Sequence, residues 1–150
     1  MNTNEKEVVV LVGSGQIGQA IARRVGSGRH IVLADVNQGH ADRAAAVLEN
    51  TGFKTSTLAV DISSRSSILA LIDHAKQFGA IKFLINAAGI SPSQASIETI
   101  LNVDLYGTAV LLEEFGKVIE AGGSGIIISS QSGHRLGALS QEETDQLAMT

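Results

Sequence analysis

Apolar and polar positions follow two rhythms along the chain. Short runs dense in β-branched and other apolar residues are each followed by a stretch whose apolar positions recur every three or four residues, which predicts strands alternating with helices. The first run, Glu7–Val12, leads into a helix over about 17–25. The second, over 30–34, ends in Asp35 and precedes a helix over about 39–51 with Ala41, Ala44, Ala45 and Leu48 on one face. A third run covers 54–60 and ends in Asp61-Ile62, after which Ser63 or Ser64 caps a helix with a stripe of Ile68, Leu71, Ile72, Ala75 and Phe78. The fourth, over 82–85, ends in Asn86-Ala87-Ala88-Gly89. Beyond a loop carrying Pro92, a long helix is expected over about 97–121, with a stripe of Ile97, Ile100, Leu101, Leu105, Thr108, Leu111, Leu112, Phe115, Val118 and Ile119. The fifth run covers 125–129. From Gln131 the rhythm stops, and 131–150 reads as irregular or mobile and polar, with an acidic cluster at Glu142, Glu143 and Asp145.

Alternation of this kind is the mark of an α/β fold with a parallel sheet. Right-handed crossovers give a Rossmann-type, doubly wound sheet in the order 3-2-1-4-5, with at least one further strand expected beyond the fifth. A length of 150 residues fits one domain with a real core. With 44% hydrophobic and 17% charged residues, the chain is not compositionally disordered. A net charge of −4 without a basic patch argues against nucleic acid as a partner. Cysteine is absent, which excludes disulfides and thiolate zinc sites and makes a cytoplasmic setting the default. No metal site is read, and no apolar run reaches the ~18 residues of a membrane span.

The chemistry begins where the first strand meets its helix. Gly13, Gly15 and Gly18 have the G-x-G-x-x-G spacing. The first glycine permits the tight turn, the second lets a pyrophosphate approach the backbone, and the third lets helix and strand pack closely. Gln16 and Ile17 complete this candidate cofactor-binding loop, where N–H groups at the helix start face the pyrophosphate. Asp35 follows Gly18 by 17 residues, at the end of the second strand. A carboxylate there accepts hydrogen bonds from the adenosine ribose hydroxyls and repels a 2′-phosphate, so NAD is expected to be preferred over NADP. Val36 and Asn37 beside it supply no cation. A turn or N-cap role for Asp35 is the alternative.

Together, the glycine loop, Asp35, Asp61-Ile62 and Asn86-Ala87-Ala88-Gly89 resemble the short-chain dehydrogenase/reductase family, in the family's order and across essentially the whole chain. The resemblance implies that Asp61 hydrogen-bonds the adenine amino group with Ile62 beside the base. It also implies that Asn86, Ala87, Ala88 and Gly89 border the ribose and nicotinamide side. On their own, Asp61 fits a helix N-cap and Asn86–Gly89 a strand-ending turn. The loop is one residue shorter than the family's common T-G-x-x-x-G-x-G. Ser130 takes the place of the family's catalytic serine, whose hydroxyl meets the substrate oxygen. Asp104, in Val103-Asp104-Leu105-Tyr106-Gly107, stands where the family has an active-site asparagine, and is either an active-site group or a hydrogen-bonded helix residue. His134 and Arg135 are read as loop residues.

The family's general acid–base is a tyrosine about a dozen residues after that serine, followed four residues later by a lysine. Here Glu142-Glu143-Thr144 stands in that region, the one tyrosine is Tyr106, and no lysine follows Lys117. The chain therefore reads as the amino-terminal portion of a larger NAD(H)-dependent oxidoreductase acting on an alcohol or carbonyl substrate, and is expected to show no turnover alone. The alternatives are a non-catalytic dinucleotide-binding module, such as a redox sensor or inactive subunit, and a sugar-nucleotide epimerase of the extended subfamily. Apolar residues Val103, Tyr106, Val110 and Phe115 around the long helix suggest a second partner for it. The resemblance implies a homodimer or homotetramer built through this 97–121 helix; the alternative is that these residues only cover the sheet and a neighbouring helix.

Overall fold

A computed structural model describes residues 6–134, 137 and 139–148. Five parallel strands form one sheet in the expected order, β3-β2-β1-β4-β5. They are β1 (Glu7–Val12), β2 (His30–Asp35), β3 (Lys54–Ala59), β4 (Ala80–Asn86) and β5 (Ser124–Ile127). Helices α1 (Gln16–Val25), α2 (Gln38–Glu49) and α3 (Arg65–Lys76) cross between the first four strands.

The apolar runs are continuous because both sheet faces are covered. Side chains alternate across β1: Val8, Val10 and Val12 join a core with Ile68, Leu71 and Ile72 of α3, while Val9 and Leu11 face Ala41, Ala44 and Leu48 of α2. All five are 0–1% exposed. The strand order reverses beside β1, whose Val12 pairs with both Ala34 of β2 and Asn86 of β4. This reversal leaves a crevice at the carboxyl ends of the strands, where doubly wound sheets bind their ligands.

The long helix departs from the expectation in length and in phase. It comprises α4 (Ile97–Ile100), a π-helical stretch Leu101–Gly107, and α5 (Thr108–Gly116), with Lys117 as its C-cap instead of a run to Ala121. A π stretch spaces its hydrogen bonds one residue wider than an α-helix, so a stripe counted at 3.6 residues drifts out of register. Ile97 is 76% exposed, and Leu101, Leu105 and Leu112 are also exposed. The inward positions are Gly107, Val110, Leu111, Glu114 and Phe115. Of the residues for which a second partner is one reading, Val110 and Phe115 belong to the chain's own core, as the alternative had it and as the place of Phe115 in the stripe implied. Gly107 lets the helix touch the strand-three loop, since a Cβ there would lie 2.7 Å from the Ile62 carbonyl oxygen. Glu114 is buried and is held by Arg65, which ties α3 to α5, and by Lys117 at the end of its own helix.

Residues 131–150 were expected to be irregular, yet the structure has a 3₁₀ turn at Gln131–His134 and a helix α6 at Gln141–Ala148. The reason is a capping box. The Ser140 N–H donates to Glu143 Oε2 at 2.8 Å, and the Glu143 N–H donates back to Ser140 Oγ at 3.2 Å.

Candidate functional site

The three loop glycines do three different jobs. Gly13 has a φ of +84°, and a Cβ there would lie 2.4 Å from the Ala88 nitrogen. Its turn is thus packed backbone-to-backbone against the loop after β4. A Cβ on Gly18 would meet Leu11 Cδ1 at 2.6 Å and the Gly13 carbonyl oxygen at 2.8 Å, which fixes α1 against β1. Gly15 differs: its Cβ direction meets nothing within 4 Å. Gly15 is the N-cap of α1 and offers no side-chain cap; its carbonyl oxygen accepts from the Gln19 N–H, and it has no side chain to meet the N–H groups that precede that one. An open cradle over helix donors suits a pyrophosphate.

Asp35 closes the neighbouring side. Its Oδ2 accepts from the backbone N–H of Ser14 at 3.0 Å and from the Ser14 hydroxyl at 2.6 Å. Its Oδ1 accepts from the Asn37 N–H at 3.0 Å and lies 3.7 Å from His40 Nδ1. Burial alone would raise the Asp35 carboxyl, but the Ser14 hydroxyl, the Asn37 and Ser14 amides and nearby His40 together hold it below the ordinary carboxylate value. The N-cap of α2 is Asn37, whose side chain accepts from the His40 N–H, so Asp35 is not the cap.

Asp61 is likewise not a helix cap, because Ser64 caps α3. Asp61 Oδ1 accepts from the Ser63 N–H at 2.9 Å and the Ser63 hydroxyl at 2.6 Å, which fixes the carboxylate after β3. Asn86 is 1% exposed and holds the turn after β4: its Oδ1 accepts from the Ala88 N–H at 3.2 Å and its Nδ2 donates to Thr108 Oγ1 at 3.4 Å.

These loops surround a cavity of about 930 Å³. Of the candidate residues, Gly13, Gly15, Gln16, Asp35, Asp61, Ile62, Ala87, Ala88 and Gly89 line it, whereas Gly18 and Asn86 are buried outside the lining and Ile17 is exposed away from it. Asp104 and Ser130 are not in the lining. Asp104 Oδ1 accepts from the Ile90 N–H at 3.1 Å and lies 3.5 Å from where a Gly89 Cβ would be, so it fixes the end of the loop that borders the cavity. Ser130 Oγ is 2.8 Å from Ser132 Oγ, in the exposed turn after β5. Arg135 and the side chain of His134 lie outside what the structure describes.

Sequence reasoning missed three residues here. Ser14 was an unread position between two glycines. His40 and Arg43 project from α2 into the same lining as Asp35, although Val36 and Asn37 supply no cation. Their signal was helical spacing, since both fall within the first two turns of α2.

A family model described as Enoyl-(Acyl carrier protein) reductase matches residues 13–142. The chain belongs to the short-chain dehydrogenase/reductase family. It is 37% identical over 131 residues to short-chain dehydrogenase/reductase bsc3 of Alternaria brassicicola, covering 87% of this chain and 48% of that protein. It is 31% identical over 147 residues to cis-4-hydroxycyclohexanecarboxylate dehydrogenase of Sinomonas cyclohexanicum, covering 91% and 58%. A short-chain dehydrogenase/reductase from Burkholderia phymatum, solved in complex with NAD, superposes with a TM-score of 0.75 at 27% identity, covering 89% of this chain and 52% of that one. The chain thus spans about half the length of these relatives. Among the described residues, no helix is long and apolar enough to cross a membrane, and no group of three or more His, Asp or Glu side chains forms a metal site.

Proposed function

We propose that this chain is the cofactor-binding part of an NAD(H)-dependent oxidoreductase that acts on a small alcohol or carbonyl compound. The observation that carries the reading is the open cradle at Gly15, set between two glycines locked by contact and sharing one cavity with Asp35 and Asp61. The first-turn N–H groups of α1 bind the pyrophosphate. Asp35 Oδ1 accepts from the ribose hydroxyls, Asp61 Oδ2 accepts from the adenine amino group, and Ile62 packs against the base. Ala87, Ala88 and Gly89 border the inner ribose, and Asp104 holds that border in place through Ile90. When bound, the cofactor supplies a hydride donor or acceptor. Ser130 hydrogen-bonds the substrate oxygen in the form that also carries a general acid–base, and the 150-residue chain alone shows no turnover.

NAD is favoured over NADP because a 2′-phosphate would meet a carboxylate already fixed by Ser14. Replacement of Asp35 by serine removes a charge-assisted acceptor, which typically contributes about 1.5–3 kcal/mol. NADH affinity measured by calorimetry should fall by roughly 10–100-fold, and NADPH affinity should not fall with it. Parallel losses for both nucleotides would overturn the ribose role. Self-association into a homodimer or homotetramer, in a cytoplasmic setting, runs through the outward residues of the long helix.

A further inference from the structure

The turn after β3, which carries Asp61 and Ile62, is built into the first turn of α3. The Asp61 N–H donates to Ser67 Oγ at 3.1 Å, and the Ser64 N–H donates to the Asp61 carbonyl oxygen at 3.1 Å. Ser64 Oγ in turn caps the helix by accepting from the Ser67 N–H at 3.4 Å. Ile62, at the middle of the turn, is anchored in the core and leans on the helix at Gly107. The backbone of Asp61 has no such anchor of its own and moves with the first turn of α3.

That first turn is held in an unusual way. The apolar contacts of α3 begin at Ile68, and none of residues 65–67 is buried. What holds them is Arg65, which reaches across to α5. Its Nη2 donates to Glu113 Oε2 at 2.8 Å and its Nη1 donates to Glu114 Oε1, so one guanidinium forks over two adjacent carboxylates. Lys117 braces both carboxylates from the far end of the same helix, at 3.0 and 3.1 Å. Hydrogen bonds from Arg65 first and Lys117 second pull the Glu113 carboxyl down to about 2, so its pair with Arg65 stays charged throughout the neutral range. An exposed ion pair adds little to stability, because water screens it and two side chains lose freedom. A planar fork over two carboxylates instead fixes direction.

We propose that Arg65 is a positioning residue for adenine recognition: by forking over Glu113 and Glu114 it fixes the first turn of α3, and through Ser64 and Ser67 it sets where the Asp61 carboxylate stands. The proposal rests on the cofactor reading above and adds to it the residue that aims its adenine contact. Arg65 is outside the cavity lining, so it acts only through the turn.

The test is calorimetric titration of NADH and of reduced nicotinamide hypoxanthine dinucleotide into the unmodified chain, Arg65→Met and Arg65→Lys. The hypoxanthine analogue has a carbonyl where adenine has its amino group. The ratio of the two dissociation constants therefore reads the Asp61 contact, while a general loosening of the fold weakens both ligands alike and leaves the ratio unchanged. In the unmodified chain NADH should bind more tightly by roughly tenfold or more, the scale of one hydrogen bond to a charged acceptor. With Arg65→Met that preference should fall toward one. Arg65→Lys keeps the charge beside Glu114 but loses the fork, and should give an intermediate preference. An undiminished preference in Arg65→Met, or in Arg65→Lys if circular dichroism shows Arg65→Met unfolded, would overturn the proposal. Equal binding of the two ligands by the unmodified chain would overturn the adenine role of Asp61 and this proposal with it. Binding of neither would overturn the cofactor reading itself.

Discussion

Ser14 donates both its backbone N–H and its hydroxyl to a single oxygen of Asp35, Oδ2, at 3.0 and 2.6 Å. This pair joins the turn after β1 to the end of β2, and it leaves Oδ1 as the atom that faces Asn37 and His40. The side chain proposed to read the ribose is thereby held by the fold itself. Such preorganisation lowers the cost of binding, because the carboxylate has little rotamer freedom left to lose.

Replacing Ser14 with alanine should remove the hydroxyl donor to that carboxylate and leave the backbone N–H in place. The Asp35 pKa lies below its ordinary value of 3.8 in the fold and should rise toward it, as read by NMR titration of the Asp35 carboxyl. The sign follows from linkage. A carboxyl depressed in the folded state stabilises the fold above its unfolded pKa, and the contribution disappears as pH falls through the folded value. The unmodified chain should therefore lose this contribution only below about pH 4, and Ser14→Ala should abolish much of it. NADH affinity should fall while the Gly15 cradle stays intact.

The two contact glycines should behave as structural residues. Gly13→Ala combines a left-handed φ of +84° with a Cβ 2.4 Å from the Ala88 nitrogen. A cost of about 2–5 kcal/mol is expected from strain and overpacking together. Gly18→Ala forces a Cβ onto Leu11 and the Gly13 carbonyl oxygen, and should cost about 1–3 kcal/mol. Chemical denaturation without any nucleotide checks both. Unchanged midpoints would mean that the two loops are not packed as described.

The fold was legible where a local rule coincides with a global one. β1, β2 and β4 are largely apolar and mostly buried runs, and β3, at the sheet edge, is marked by β-branched residues instead, so composition revealed all four and the right-handed crossover rule fixed their order. Gly13, Gly15 and Gly18 were legible because their spacing encodes a turn whose geometry allows few other residues. The long helix was misread because phase was counted at 3.6 residues through a stretch that is π-helical at Leu101–Gly107. That stretch also carries Asp104, which explains why its side chain reaches Ile90. The Ser14–Asp35 bonds span 21 positions and obey no periodicity, so no pattern in the sequence displays them. His40 and Arg43 entered the cleft from a helix face that had been read only for its alanines. α6, by contrast, carried a readable signal in Ser140 and Glu143 that the polar composition of its surroundings obscured.

The corrected phase changes which residues the proposed self-association would use. Leu105 and Leu112 are 43% and 51% exposed, whereas Val110 and Phe115 are core residues. Leu105→Glu with Leu112→Glu should lower the apparent mass in light scattering at micromolar concentration without lowering thermal stability. A mass unchanged by the pair of substitutions would remove this face as the interface.

Calorimetric titration of NADH into the unmodified chain and into Gly15→Ala tests whether the cradle over α1 receives the pyrophosphate of a nicotinamide adenine dinucleotide. The added Cβ meets no protein atom within 4 Å, so it should leave the fold's stability nearly unchanged while obstructing the ligand. Binding by the unmodified chain is expected, with a loss of roughly tenfold or more for Gly15→Ala, the equivalent of about one charge-assisted hydrogen bond. Equal NADH affinity in the two proteins, or none in the unmodified chain, would contradict that placement of the pyrophosphate.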